Sequence, residues 1–227
     1  MDCLWCNEEI ILTMTWSNFL LLPTQRALCV NCAEGLEIIS GSRCSICSRS
    51  YDEAICPDCQ KWRKQTNGED IILKNYSIYT YNTAIQAMIT KWKYRGDYCL
   101  GDIFKDSFIK SFEDVFGFLA KESVLVPIPL SQERLNERGF NQAKMLTDFL
   151  PMEKREILTR VHGEKQSKKT RYERITAQNP FSLNETVKKV VILVDDIYTT
   201  GTTLRHAARL LREAGCPGVY TFTLIRG

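Results

Sequence analysis

The stretch VVILVDDIYTTGTTL, from Val190 to Leu204, decides the fold of this chain. It opens with five apolar residues in a row, which is typical of a strand buried on both faces of a parallel sheet. The following TLRHAARLLREAG has apolar residues at helical spacing, and Gly215 and Pro217 favour a helix end there. VYTFTLIR then predicts another strand. The two adjacent aspartates and the threonine–glycine loop of this strand–loop–helix–strand unit therefore lie at the carboxyl end of a strand, where open α/β sheets bind ligands.

The loop inside this stretch has the composition of an anion-binding site. Its threonines offer hydroxyl donors, Gly201 permits a tight turn, and the next helix presents free N–H groups. Asp195 and Asp196 would repel a phosphate, so we expect them to face sugar hydroxyls or a hydrated Mg²⁺. One ligand that needs both the threonine–glycine loop and the paired aspartates is a sugar 5-phosphate with free vicinal hydroxyls and a metal-bound pyrophosphate.

Two other interpretations of the stretch compete with this one. A Walker B strand also ends in acidic residues, but it requires a G-x-x-x-x-G-K-[ST] loop that the sequence lacks. An ordinary strand end followed by a capped helix needs only one Ser or Thr, and it leaves the remaining residues unexplained.

The fifteen residues closely resemble the phosphoribosyl pyrophosphate (PRPP) motif of type I phosphoribosyltransferases. The resemblance implies that the paired acids contact the ribose hydroxyls and that the threonine–glycine loop holds the 5′-phosphate. It also implies Mg²⁺ bound together with PRPP. The residues expected to bind PRPP are Asp195, Asp196, Thr199, Thr200, Gly201, Thr202 and Thr203.

The cysteines predict a second feature, a pair of zinc sites. Eight of the ten cysteines form four C-x-x-C pairs near the start of the sequence. Such pairs supply two thiolates from one tight turn, and eight thiolates make two tetrahedral sites without an open position, which indicates structural zinc. We expect sequential pairing, although a crossed arrangement stays open. The first site would use Cys3, Cys6, Cys29 and Cys32, and the second Cys44, Cys47, Cys56 and Cys59.

Composition limits the class of protein. The chain has 227 residues and a net charge of +3, so it is not a polycation as a whole. Positive charge is concentrated between Lys154 and Arg174, which contains eight Lys or Arg against three Glu. No apolar run reaches the length of a membrane helix, and FLLLP follows no basic segment of the kind found in signal peptides. We therefore expect a cytoplasmic protein without a membrane span, and hence no disulfide framework.

Two domains are expected, a double zinc ribbon over residues 1–66 and an α/β domain over 67–227. The polar KWRKQTNGED would link them. The α/β domain is expected to be a type I phosphoribosyltransferase-like parallel sheet flanked by helices. Its predicted elements include an amphipathic helix in NTAIQAMITKWKY, with Trp92 in the core, and one long helix over residues 100–121. The isolated Cys99 and Cys216 are predicted to be small buried residues.

The motifs taken together resemble the ComF family of competence proteins, of the ComFC type. The four cysteine pairs, KWKYRGD, VPIPLSQERLNERGFNQA, RVHGEKQSKKTRYERITAQNPF and the PRPP motif occur in the expected order over almost the whole chain. The resemblance implies a cytoplasmic role in handling incoming single-stranded DNA during natural transformation, with PRPP or another phosphorylated ribose as ligand. A DNA-uptake helicase or translocase would be a protein partner.

A further set of residues is expected to hold pyrophosphate or a DNA backbone. VPIPLSQERLNERGFNQA stands where type I phosphoribosyltransferases place their pyrophosphate loop, and arginines there can make bidentate phosphate contacts. Solvated surface charge is the competing interpretation. The residues are Pro127, Ile128, Arg134 and Arg138, with Lys168, Lys169 and Arg171 in a basic loop. The segment from Lys91 to Arg95 also alternates cations with Trp92 and Tyr94, a composition that can bind single strands.

The favoured function is a competence accessory protein that binds single-stranded DNA and a PRPP-like ligand. The alternative is an active phosphoribosyltransferase with a nucleobase or related acceptor. Such transfer is mainly electrostatic and needs no single nucleophile, so the sequence assigns no catalytic residue.

Overall fold

The computed structural model of the chain describes residues 1–11, 26–66, 68–94, 97–160 and 179–227. Its centre is a four-stranded sheet in which all paired strands run parallel, in the order β1–β6–β5–β2. A separate antiparallel pair joins β3 and β4. The strands are β1 (Lys74–Thr80), β2 (Ser123–Pro127), β3 (Leu158–Arg160), β4 (Phe181–Leu183), β5 (Val190–Tyr198) and β6 (Val219–Arg226).

Seven α-helices occur in the described ranges, and they confirm the predicted α/β class. They are α1 (Val30–Glu34), α2 (Pro57–Gln65), α3 (Thr83–Tyr94), α4 (Lys105–Phe116), α5 (Gln132–Arg138), α6 (Gln142–Asp148) and α7 (Thr202–Glu213). Helix α3 buries Trp92 and three aliphatic side chains, as the helical spacing predicts. The single long helix predicted over residues 100–121 is wrong, because α4 is flanked by 3₁₀ helices at Tyr98–Phe104 and Gly117–Leu119.

The two faces of the sheet have different chemistry. Successive residues of a strand point to opposite faces. Accordingly, Ile192 and Val194 pack on one face with a group of aromatic rings, and Val191 and Leu193 pack on the other with Cys44 to Cys59 and helix α7. We call these the aromatic face and the cysteine face. The rings of the aromatic face include Phe104, Phe108, Phe112, Phe116 and Phe222.

Three smaller expectations can be compared with the structure. Helix α2 extends to Gln65, so the stretch predicted to be a linker is helical in its first half. Cys216 is buried as predicted, whereas Cys99 is exposed, which makes that prediction wrong. Within the described residues, no helix has the length and apolar character needed to cross a membrane.

Candidate functional site

A pocket of about 180 Å³ lies where β2 and β5 approach their carboxyl ends. Parallel strands place their carboxyl ends at the same edge of the sheet, which brings together side chains distant in sequence. The charged side chains that line this pocket are Lys93, Arg134, Arg138, Arg160, Asp195 and Asp196. The four cations outnumber the two carboxylates, so the pocket suits a ligand with several negative charges.

The paired acids are part of the strand itself. Strand β5 continues through Asp195 and Asp196 to Tyr198, so its last residues carry the polar groups of the pocket. The backbone N–H of Asp196 donates to Oδ1 of Asp195 at 2.9 Å. Oδ2 of Asp196 lies 2.5 Å from Nζ of Lys93, which reaches the pocket from α3. This lysine therefore pairs with one carboxylate of the pair and helps to orient it.

The other carboxylate is much harder to ionise. Burial, together with the neighbouring Asp196 carboxylate, raises the pKa of Asp195 to about 7, while the hydrogen bond from the Asp196 backbone N–H and the charges of Lys93 and Arg160 act in the opposite direction. A partner that donates hydrogen bonds to a carboxylate favours its charged form. Vicinal sugar hydroxyls are donors of this kind.

The arginines of the pocket crowd together from two elements. Arg134 and Arg138 belong to α5, and Arg160 is the last residue of β3. Burial lowers the pKa of Arg160, and the charges of Arg134 and Arg138 lower it further. Repulsion between the three guanidinium groups costs free energy, and a bound polyanion would offset this repulsion.

The threonine loop adjoins the pocket. Thr203 lines it, and the hydroxyls of Thr200 and Thr202 lie 2.9 Å apart at the preceding turn. Gly201 has φ +73°, and a Cβ atom there would come within 2.2 Å of both Arg205 and the Tyr198 hydroxyl. Only glycine fits this position, because it needs the left-handed conformation and has no side chain to clash.

The structure brings together some of the predicted residues and not others. Asp195, Asp196 and Thr203 line the pocket, Thr200, Gly201 and Thr202 form the turn beside it, and Thr199 is exposed. Ile128 lines the pocket and its N–H donates to the carbonyl of Val194, while Pro127 is buried at the end of β2. Arg134 and Arg138 both line the pocket. Lys168, Lys169 and Arg171 lie outside the described residues.

Two pocket residues were missed as PRPP-site residues by sequence reasoning. Lys93 falls in the alternation of cations and aromatic residues from Lys91 to Arg95, and Arg160 falls in the positively charged stretch from Lys154 to Arg174. A lysine beside the buried Trp92 gives no sign of facing a pair of acids about a hundred residues further along. The signal available for Lys93 was its place in KWKYRGD, one of the segments that carry the family resemblance.

The cysteines form two groups in the sequential order. Cys3, Cys6, Cys29 and Cys32 are the first cluster, Cys44, Cys47, Cys56 and Cys59 are the second, and in each the sulfur atoms lie within 4.8 Å of one another. Four sulfurs at this separation could hold a zinc ion without an open position, which fits structural rather than catalytic zinc.

Comparison with known proteins places the site in a family. Residues 144–227 match the phosphoribosyl transferase domain. The chain is 40% identical to Competence protein ComFC of Bacillus subtilis (strain 168), over 99% of this chain and 94% of that protein. It is 35% identical to Competence protein ComFC of Streptococcus pneumoniae, over the full length of both.

Among solved structures, a hypoxanthine phosphoribosyltransferase from Staphylococcus aureus is similar over 54% of this chain and 64% of that one. The identity is 16% and the TM-score 0.32, a likeness too low to carry an argument. The two ComFC relatives decide the family, since both match almost the whole of this chain and almost the whole of their own length. The chain therefore belongs to the ComFC family of competence proteins, with a phosphoribosyltransferase-like domain and two four-cysteine clusters.

Proposed function

We propose that this chain binds PRPP, or another phosphorylated ribose, together with Mg²⁺, and that it handles single-stranded DNA in the cytoplasm during natural transformation. The observation that carries the ligand proposal is one pocket in which a pair of adjacent carboxylates faces four cations. The relatives named Competence protein ComFC support the biological role.

Each part of PRPP has a chemically matched group in or beside the pocket. Asp195 and Asp196 accept hydrogen bonds from the two ribose hydroxyls. The turn at Gly201 offers backbone N–H groups and threonine hydroxyls to the 5′-phosphate. The arginines of α5 and β3 neutralise the pyrophosphate by charge-assisted hydrogen bonds. Mg²⁺, when bound, screens the pyrophosphate charge and takes oxygen ligands from it.

We propose that Lys93 holds the Asp196 carboxylate in place in the absence of ligand. Its side chain and that of Asp196 are 12% and 13% exposed, so the ion pair between them is well shielded from water. A shielded partner limits the rotamers of Asp196. We therefore assign Lys93 to positioning this carboxylate toward the ribose.

The same cations supply a route for DNA. A single strand presents phosphates to arginine and lysine and bases to exposed aromatic rings. Arg138 stacks over the ring of Tyr94, with 5.7 Å between the guanidinium carbon and the ring centroid, and that ring is exposed. We propose that the α5 arginines contact the strand phosphates beside this ring, so that PRPP and DNA compete for them.

Calorimetric titration with Mg²⁺–PRPP tests the ligand. We expect wild type to bind and the double variant Asp195→Asn, Asp196→Asn to lose binding, with two zinc ions per chain retained. Glu113→Gln with Asp114→Asn is the matched control, because it neutralises two adjacent exposed acids on α4. Equal PRPP affinity in the Asp195, Asp196 variant and in wild type would exclude the assignment.

Fluorescence anisotropy of a labelled single strand tests the DNA role. We expect binding that weakens with salt, and a smaller salt dependence in Arg134→Gln with Arg138→Gln, because two phosphate contacts are lost. Adding Mg²⁺–PRPP should displace the strand. If neither the arginine substitutions nor PRPP changed the affinity for DNA, the strand would bind elsewhere on the protein.

The alternative is transfer of the phosphoribosyl group to a nucleobase, and a neighbouring pocket favours it. This second pocket measures about 340 Å³, shares Pro129 and Leu130 with the charged pocket and contains Tyr98 and Phe140. Aromatic side chains of this kind can stack on a base. Release of pyrophosphate from PRPP on adding one of a panel of nucleobases would establish the transferase, and its absence for every base would favour the binding role.

A further inference from the structure

The threonine loop is tied to the second cysteine cluster by Arg226, near the end of β6. This side chain is 6% exposed. Its Nη1 donates to the carbonyls of Tyr198 and Thr199, at 3.0 and 2.9 Å. Its Nη2 donates to Sγ of Cys47 at 3.7 Å. One guanidinium therefore joins a cysteine of the cluster to the first residue of the loop.

A second tie runs through Arg205, on the first turn of α7. Nη1 of Arg205 donates to the hydroxyl of Tyr198 at 2.6 Å and to the carbonyl of Thr200 at 3.5 Å, and Nη2 lies 4.0 Å from Sγ of Cys59. Asp70 holds the other side of the guanidinium through two hydrogen bonds, at 3.1 and 2.6 Å.

Helix α2, which carries Cys59, adds a third tie. The indole N–H of Trp62 donates to the carbonyl of Thr200 at 3.2 Å. The same ring stacks against Arg205, with 4.7 Å between the guanidinium carbon and the ring centroid. The loop carbonyl and the arginine that binds it are thus both held by the helix that carries Cys59 of the second cluster.

These ties fix the direction of the loop peptides. The carbonyls of Tyr198, Thr199 and Thr200 are all hydrogen-bonded on the side of the cluster. In a trans peptide the C=O and the next N–H point in opposite directions. The N–H groups of Thr199, Thr200 and Gly201 are therefore directed away from the cluster, which is the arrangement that an anion-binding turn needs.

A metal at the second cluster strengthens both arginine ties. Zinc with four thiolates carries two negative charges, and N–H groups that donate to the sulfurs compensate them. Without metal, the negatively charged metal–thiolate group and the cross-link between Cys47 and Cys59 are lost. Both arginines then lose a charged partner, and the loop carbonyls lose fixed donors.

We propose that the second cluster, through Arg205 and Arg226, positions the Thr199–Thr203 loop, so that metal occupancy of this cluster sets the affinity of the loop for phosphorylated riboses. This inference rests on the phosphate-binding role proposed for the loop. The first cluster provides the contrast, because Cys3 packs with Leu28 into the core of the aromatic face, on the other side of the sheet.

The test removes one metal at a time from the full-length protein. Cys59→Ser empties the second cluster and Cys6→Ser the first, and each variant should retain one zinc ion by elemental analysis. Ribose 5-phosphate is titrated by calorimetry, and hydrogen exchange is followed for the amides of residues 199–203. We expect Cys59→Ser to weaken ribose 5-phosphate binding about tenfold, within the range typical of coupled sites. Its loop amides should exchange faster, whereas Cys6→Ser should match wild type in both measurements.

A variant that keeps both metals covers the case in which Cys59→Ser does not fold. Arg226→Lys retains the charge, but a single ammonium cannot hold two carbonyls and a sulfur together. We expect weaker binding of ribose 5-phosphate and faster loop exchange than in Arg209→Lys, which changes an exposed arginine of α7.

Equal affinity and equal loop exchange in Arg226→Lys and Arg209→Lys would overturn the inference, as would equal behaviour of Cys59→Ser and Cys6→Ser. If wild type binds neither ribose 5-phosphate nor Mg²⁺–PRPP, the proposed function fails. The hydrogen-exchange comparison still decides in that case whether the cluster positions the loop.

Discussion

The two faces of the central sheet are stabilised by different physics. On the aromatic face, the ring centroid of Phe222 lies 4.3 Å from that of Phe108 and 5.5 Å from that of Phe112. Burial of apolar area is the main source of stability there. On the cysteine face, a four-sulfur cluster, buried arginines and Asp70 lie beside Val191 and Leu193. Apolar packing tolerates small errors of geometry, whereas buried charges require every partner.

Because of this difference, one face of the sheet contributes mainly to stability, whereas the other also contributes to the arrangement of the loop beside the pocket. The aromatic face stabilises the domain mainly by apolar contacts, which are not directional. The cysteine face uses directional bonds, and those bonds end on the residues of the loop beside the pocket. We therefore expect changes on the two faces to differ in kind, even where their cost in stability is equal.

The largest expected effect comes from the metals. Cys56→Ser removes a fully buried ligand of the second cluster, and Cys6→Ser an exposed ligand of the first. Structural zinc can contribute about 10 kcal/mol to folding of a small module. We expect both variants to lose one zinc ion, and Cys56→Ser to show the larger fall in melting temperature, because the buried arginines depend on its cluster. Equal falls would mean that the two clusters stabilise the fold alike.

A single arginine gives the next largest effect. Arg205 and Asp70 form an ion pair in which both side chains are 4% exposed. Arg205→Met leaves Asp70 buried without its partner, and we expect a loss of about 4 kcal/mol in the free energy of unfolding. Adding Asp70→Asn should recover part of the loss. Denaturant titration of the single and double variants measures both values.

Two controls define what is special about Arg205. Phe222→Ala on the aromatic face should cost a similar amount, about 4 kcal/mol, but should leave hydrogen exchange of the loop unchanged. Arg49→Met breaks an ion pair with Asp58 in which the arginine is 41% exposed, and it should cost less than about 1 kcal/mol. If Arg205→Met costs no more than Arg49→Met, the pair does not stabilise the cysteine face.

The contrast between the faces also explains what the sequence could predict. Local patterns predicted β5, the helix after it, the parallel sheet and the two groups of cysteines, since each depends on residues close together in the chain. The roles of Arg205 and Arg226 were not predicted. Arg205 meets Asp70 from 135 positions away and Arg226 meets Cys47 from 179, and an arginine in a helix or strand gives no local sign of burial.

The pocket shows the same limit. The paired acids were predicted as a ligand site because they follow an apolar run and precede a glycine loop. Arg134 and Arg138 were predicted from their place in a resembling segment, whereas Lys93 and Arg160 were not assigned to the PRPP site. Their positions depend on how α3 and β3 pack at the edge of the sheet, which no periodicity within either element reveals.

Asp195 gives a pH-dependent effect of intermediate size. Burial raises its pKa from 3.8 to about 7, so the charge destabilises the free protein. A carboxyl whose pKa is raised on folding gives full stability below its unfolded pKa, and this stability is lost as the pH rises through the folded value. Asp195→Asn should therefore leave stability unchanged near pH 4 and raise it at pH 8, by about 2 kcal/mol after discounting for partial exposure.

Thermal unfolding of wild type and Asp195→Asn between pH 4 and pH 8 measures this difference, without ligand. Asp196→Asn is the matched control, because it removes the partner of Lys93 and should lower stability at pH 8. A constant difference between Asp195→Asn and wild type across the range would show that Asp195 titrates normally in the folded protein.

The smallest effect compares one tyrosine hydroxyl on each face. The hydroxyl of Tyr198 accepts a hydrogen bond from Arg205, and that of Tyr79 donates to Ser107 at 2.7 Å on the aromatic face. Hydrogen bonds that involve a charged group contribute about 2 kcal/mol and neutral ones about 1 kcal/mol. Tyr198→Phe should therefore cost about twice as much stability as Tyr79→Phe in denaturant titration.

Tyr198→Phe should also weaken ribose 5-phosphate binding. Without the tyrosine hydroxyl, the Arg205 guanidinium is held less firmly, and its hydrogen bond to the carbonyl of Thr200 is weakened. Equal costs with unchanged binding would show that the directional bonds of the cysteine face end at Tyr198 and do not reach the loop.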